Sequence, residues 1–203
     1  MSDLDHALRQ LSEVRSRLTT ATRFRGLAPQ AVGLSAAIAA AAAILQSIFS
    51  AQLNPGVRAY VLYWSLVALL ATGIIAGEAL GRARRAHGGG AGRMIDGALR
   101  LLLPPCVAGA AVTFVLWKSA PEVLWLMPGL WQVLIALTGF SALPMLTPEM
   151  RWPGLFYLAS GIGCLVLAKD MTPLSPWLMG IPFAVGQSLV ALALHRANKV
   201  HDA

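Results

Sequence analysis

The sequence predicts an all-α fold: a six-helix transmembrane bundle preceded by an N-terminal cytoplasmic amphipathic helix. Low charge, six long apolar stretches and the placement of basic residues support this prediction. Of the 203 residues, 57% are hydrophobic and 12% are charged, and the mean hydropathy is +0.65. Soluble domains carry roughly 25% charged residues. Much of the surface of this chain must therefore face lipid.

The lengths of the apolar stretches decide how many helices can cross a bilayer. They cover residues 27–49, 60–80, 98–117, 123–144, 153–168 and 177–194. A transmembrane helix needs about 20 apolar residues, with roughly 17–25 the usual range. Stretch 153–168 is short, so it either crosses with help from Trp152 and Lys169 at its ends or re-enters the membrane. We predict one bundle over residues 27–195 and a cytoplasmic tail over residues 196–203.

The first 26 residues are polar and are predicted to form an amphipathic helix. The apolar residues that share one face of this helix are Leu4, Leu8, Leu11, Val14 and Leu18. Asp5 and Glu13 each precede an arginine by four residues, a spacing that favours a helix. We expect this face to contact lipid headgroups, another copy of the chain or a membrane-protein partner.

Basic residues flank the apolar stretches and predict the orientation of the chain. With a cytoplasmic N-terminus, thirteen of the sixteen Lys and Arg residues lie inside, and only Arg58, Lys118 and Lys169 lie outside. Cytoplasmic loops of membrane proteins carry an excess of Lys and Arg of this kind. Both termini are therefore predicted to be cytoplasmic. The net charge of +7 then reflects topology, and we expect no nucleic-acid partner.

Aromatic residues support the same topology. Amphipathic rings favour the membrane interface. The aromatic residues predicted to lie near the outer ends of the spans are Tyr60, Tyr63, Trp64, Trp117, Trp125 and Trp177.

Two features of the second stretch predict packing and charge pairing. Gly73, Gly77 and Gly81 form a small-residue stripe that lets another backbone approach closely. The stripe packs either within the bundle, which we favour, or against a second copy. Glu78 is followed four residues later by Arg82, so we expect an interfacial ion pair.

Gln132 and Gln187 are the candidate ligand-binding residues. Each lies about ten residues from the outer end of its predicted span, so we expect their amides at similar depth. They either bond to each other across a dry interface or line a polar site for a ligand. Prolines nearby, including Pro182, free backbone carbonyls that neighbouring helices must satisfy.

No arrangement of residues specifies a reaction. The four histidines lie in tails or a loop, and neither cysteine has a metal-ligand or redox spacing. We therefore expect no catalytic residues, no metal and no cofactor. The first hypothesis is an accessory or regulatory subunit that acts by helix–helix association. The alternative is a small transporter or ligand-binding sensor built around Gln132 and Gln187.

Two segments resemble small bacterial polytopic inner-membrane proteins of unassigned function. The first is Thr22-Arg23-Phe24-Arg25-Gly26-Leu27-Ala28-Pro29, and the second is Gly180-Ile181-Pro182-Phe183-Ala184-Val185-Gly186-Gln187. The resemblance implies a bacterial cytoplasmic membrane as the location. It implies no site residues.

Reporter fusions at Ser119, at Met171 and at the C-terminus test the predicted topology. Ser119 and Met171 should lie outside the cell membrane, and the C-terminus should lie inside, because the basic residues follow this order. A C-terminus outside the membrane would contradict six spans and would identify 153–168 as a segment that does not cross.

Overall fold

The computed structural model of the chain describes residues 28–85, 90–143, 148–169 and 174–199, with side chains described except at 83 and 90–102. The described residues form helices and connecting turns without a strand, which confirms the all-α prediction. The predicted N-terminal helix over residues 1–26 lies outside the described residues, as does the end of the predicted tail over residues 200–203.

Six long helices occur in the described part of the chain. They are α1 (Pro29–Ile48), α2 (Val57–Arg85), α3 (Gly90–Ser119), α4 (Met127–Ala142), α5 (Arg151–Ala168) and α6 (Trp177–Lys199). A short helical turn, Ser50–Leu53, follows α1, and 3₁₀ turns precede α4 at Pro121–Leu126 and α5 at Pro148–Met150. Prolines stand in the first turns of α1 and α4, where the missing N–H costs no helical hydrogen bond.

Five helical segments are long and apolar enough to cross a membrane, so the chain is a multi-pass membrane protein. They are Pro29–Ile48, Val57–Arg82, Pro121–Ala142, Pro148–Ala168 and Trp177–Lys199. The 153–168 stretch is among them because the preceding 3₁₀ turn extends it to 21 residues. Such a length spans roughly the 30 Å hydrocarbon core of a bilayer.

The third predicted span is the one that falls short of this criterion. It lies on α3. The apolar part of α3 whose side chains are described is Leu103–Ser119, which is shorter than the other five segments. A six-span count therefore stays a prediction, while five spans are supported by length and composition.

Two closely packed helix pairs organise the bundle. Helix α1 packs most extensively on α6, and α4 on α5, while contacts between α5 and α6 join the two pairs. Helix α2 lies against α1, and α3 lies between α2 and α4. Consequently α2 is the least buried of the five segments, with 17% of its apolar window buried compared with 33–44% for the others.

Small residues set the spacing within these pairs. A Cβ atom added at Gly180 of α6 would collide with the Cβ of Ala43 on α1. A Cβ at Gly129 of α4 would lie only 2.7 Å from the carbonyl oxygen of Gly161 on α5. Helices in lipid gain little from hydrophobic burial, so such close approach supplies the packing contacts that hold them together.

One core cluster lies where the ends of α1 and α5 meet the beginnings of α2, α4 and α6. Its members include Tyr60, Trp64, Leu124, Met127, Cys164 and Leu178. Tyr60 and Trp64 are 1% and 2% exposed, so these two rings pack inside the protein and are not lipid-facing anchors. The level of the aromatic belt stays a prediction, while the polar groups of these two rings bond to the Ser175 carbonyl and to Gln46.

Replacing Gly180 by alanine tests the packing of α1 on α6. The added methyl group meets Ala43, and overpacking of this kind typically destabilises by about 1–3 kcal/mol. Unfolding of the purified protein in lipid bicelles measures this loss.

Gly163→Ala is the matched control. A Cβ at Gly163 of α5 meets no described atom within 4 Å, and alanine favours a helix over glycine by up to about 1 kcal/mol. This variant should be neutral or stabilised. Equal stability of the two variants would contradict the tight α1–α6 contact.

Candidate functional site

Gln132 on α4 is fully buried, with 0% of its surface exposed. Its Nε2 atom lies 3.0 Å from the carbonyl oxygen of Pro128 and 3.0 Å from that of Leu178. Both carbonyl oxygens are acceptors, so the two amide hydrogens are donated to them. Cys164 Sγ lies 3.2 Å from the same nitrogen. The donor capacity of this amide is therefore used within the chain.

The Leu178 carbonyl needs these donors because of Pro182. Proline has no N–H, so Pro182 cannot bond the carbonyl four residues before it. The Gln132 amide and the Cys164 thiol, with Sγ 3.3 Å from the same oxygen, donate to it instead. One freed carbonyl thus joins α4, α5 and α6. This arrangement is the one expected for a proline inside a membrane, where a neighbouring helix satisfies the backbone.

Gln187 lies elsewhere on α6. It is half-buried and stands beside the Tyr157 hydroxyl of α5, which is buried and has no partner in hydrogen-bonding geometry among the described residues. Gln187 follows Leu178 by nine residues, or about 13 Å along a helix. The structure therefore does not bring Gln132 and Gln187 together, and the shared site expected from the sequence is not formed.

Equal distance along the two predicted spans did not bring the amides together, because contacts between the helices set how α4 and α6 lie against each other. Residues Pro121–Leu126 form a 3₁₀ turn that contacts α2, α3 and α5. Gln132, in the second turn of α4, meets Leu178 in the first turn of α6, whereas Gln187 lies near the middle of α6.

A second buried amide, Gln46, joins α1 to α2. Its Oε1 atom accepts a hydrogen bond from Trp64 Nε1 at 2.8 Å. The neighbouring Tyr63 hydroxyl donates to the Ala42 carbonyl of α1 at 2.7 Å, and the Tyr63 and Trp64 rings meet edge to face. Gln46 is 0% exposed, and its Nε2 atom has no hydrogen-bond partner in the part of the chain that the structure describes.

Two further polar side chains hold the segment that enters α6. Asn54 Nδ2 donates to the Leu174 carbonyl at 2.8 Å, and the Tyr60 hydroxyl donates to the Ser175 carbonyl at 3.2 Å. These bonds connect the turn between α1 and α2 with the start of α6. The polar contacts of Gln46, Asn54, Tyr60 and Gln132 consequently surround a single core cluster.

Glu78 and Arg82 form a close ion pair on α2. Arg82 Nε lies 2.9 Å from Glu78 Oε1, and the Arg85 guanidinium lies 3.8 Å from the same oxygen. Arg82 also donates to Gln30 Oε1 of α1 at 3.4 Å. The pair is more than a third exposed and links α2 to the start of α1.

The glycine stripe on α2 faces away from the described helices. A Cβ at Gly73 or Gly77 meets no described atom within 4 Å, and one at Gly81 meets only Arg85 of the same helix. The structure therefore does not pack this stripe within the described bundle. Glycines pack within the described bundle on α4, α5 and α6 instead. A Cβ at Gly129 or Gly186 would overlap a neighbouring helix, and one at Gly161 would lie only 3.0 Å from α4.

Sequence reasoning missed Gln46, Asn54 and Tyr157. Gln46 interrupts an alanine-rich stretch, and Tyr157 interrupts an apolar stretch. A polar side chain within a predicted span was therefore the feature by which the sequence could have identified them. The partner of each group could not be inferred, because helix order around the bundle decides it.

These amides and hydroxyls can hold a helix or a small neutral molecule by hydrogen bonds. Within the described ranges, no three His, Cys, Asp or Glu side chains are placed to hold a metal ion.

A double-mutant cycle tests the bond between Gln132 and the Leu178 carbonyl. Gln132→Leu removes the donor and should destabilise the bundle by roughly 0.6–2 kcal/mol. Pro182→Ala restores an N–H that can bond the Leu178 carbonyl, so the Gln132→Leu cost should shrink in that background. Gln187→Leu is the control and should not couple to Pro182→Ala. An unchanged Gln132→Leu cost would disprove the role assigned to the amide.

Comparison with known proteins adds no relative: no family model, curated protein or solved structure matches this chain.

Proposed function

We propose that this multi-pass membrane protein is an accessory or regulatory subunit that acts by helix–helix association through α2, without catalysis. The supporting observation is the open face of α2, a continuous surface that no described helix covers. It consists of Leu62, Leu66, Leu69, Leu70, Gly73, Gly77 and Leu80. Positions spaced by three, four or seven residues fall on one side of a helix.

The shape of the open face favours a helix as its partner. Gly73 and Gly77 form a groove between leucines that are 38–69% exposed. Small residues four apart let a second backbone approach, which is how transmembrane helices associate without a hydrophobic driving force. The partner is either a second copy of the chain or a helix of another membrane protein. The predicted N-terminal helix offers a further contact for the same partner.

The transporter or sensor alternative has less support. Both hydrogens of the Gln132 amide are donated to backbone carbonyls, and Gln187 lies more than two helical turns away along α6. The bacterial cytoplasmic membrane and the cytoplasmic termini belong to the same proposal. They rest on the distribution of basic residues and on the resemblance of two segments.

Photo-crosslinking in the cell membrane tests the proposal. A benzoyl-phenylalanine at position 69 of the open face should form protein adducts, because a partner helix lies against it. Val166 on α5 is the matched lipid-facing control, since Val166 is 71% exposed and Leu69 is 69% exposed. Adducts at position 69 that match those at position 166 would contradict the proposal.

Gly77→Leu should abolish the position 69 adducts by filling the groove. Gly163→Leu is its control, because a Cβ at either glycine meets no described atom within 4 Å. Neither variant should change the stability of the separated chain. Loss of adducts in both variants would show that the effect is not specific to α2.

A further inference from the structure

We infer that the side-chain amide of Gln46 binds an internal water molecule within the core cluster. The orientation of this amide is set by Trp64, whose indole N–H donates to Gln46 Oε1 at 2.8 Å. The opposite end of the amide, Nε2, therefore carries two hydrogens. Gln46 is 0% exposed, and no acceptor among the described residues bonds Nε2.

The helix backbone cannot serve this amide as it serves Gln132. The Gln132 amide folds back onto the carbonyl four residues earlier, that of Pro128. The equivalent carbonyl for Gln46 is that of Ala42, which receives the helical N–H of Gln46 and also the Tyr63 hydroxyl at 2.7 Å. A carbonyl oxygen has two lone pairs, so both positions on Ala42 are already used.

The surroundings select water as the ligand. Besides Gln46 Nε2, the buried atoms without a hydrogen-bond partner in the described ranges include Asn54 Oδ1 and Gln132 Oε1, which are both acceptors. The groups bonded to these three side chains, Trp64, Leu174 and Leu178, belong to the same core cluster. The ligand of Gln46 Nε2 must accept a hydrogen bond and must be small, because the amide is 0% exposed. Water meets both requirements, and buried waters typically satisfy polar groups of this kind.

The site is independent of the proposed association through α2. It lies on the buried side of that helix, where the Trp64 indole holds the Gln46 amide of α1. The water would complete the hydrogen bonding that links α1 to α2, because the oxygen end of the same amide already holds Trp64.

Water-edited solid-state NMR on the full chain in bilayers tests this inference. The protein is labelled with ¹⁵N-glutamine, and magnetisation is transferred from water protons to the side-chain amides. Loss of one signal in Gln46→Met assigns the Gln46 amide; if that variant does not fold, Gln132→Met leaves Gln46 as the remaining fully buried signal. We expect rapid transfer to Gln46, similar to that for the exposed Gln52.

The backbone amide of Met179 on α6 is the internal control, observed with ¹⁵N-methionine as a second label. Met179 is 1% exposed in the same core cluster, and its N–H is donated to the Pro176 carbonyl at 3.3 Å, so its signal should build up slowly. Transfer to the Gln46 side chain that is clearly faster than to the Met179 amide supports a bound water. Transfer to Gln46 that is no faster than to Met179 overturns it.

Discussion

In a bilayer, two helices gain almost no hydrophobic free energy by touching, since lipid tails are as apolar as leucine. Close backbone approach therefore carries much of the association in this bundle. The contacts at Gly180 with Ala43, and at Gly129 with Gly161, place α1 on α6 and α4 on α5. The remaining helices depend on these two pairs, because α2 packs on α1 and α3 on α4.

Hydrogen bonds add specificity at one end of the bundle. The Leu178 carbonyl, left free by Pro182, is satisfied from both α4 and α5, so it determines how that pair meets α6. Trp64 and Gln46 similarly define how α2 meets α1. Unpaired polar groups are expensive in hydrocarbon, which makes these bonds more selective among helix arrangements than apolar contacts alone.

Helix α2 consequently has two different halves. Its first half carries Tyr60, Tyr63 and Trp64, which bond to α1 and to the start of α6. Its second half carries the exposed contact from Arg82 to Gln30 and leaves Gly73 and Gly77 uncovered by the described helices. A helix that is fixed at one end and open along the other can present a binding face without disturbing the core.

The positions of the apolar stretches and the Glu78–Arg82 spacing depend only on local sequence, and each is matched by a described helix or contact. Residues 153–168 show the limit of a local criterion, because the turn that lengthens this helix begins before the apolar run. Helix order around the bundle was decided only by the tertiary structure. It separated Gln132 from Gln187, turned Tyr60 and Trp64 inward, and left the α2 glycines open while glycines on α4, α5 and α6 were buried. Hydropathy reports that a helix prefers lipid, but it carries no information on which face meets which neighbour. That choice depends on steric fit and on hydrogen-bond partners that are distant in sequence.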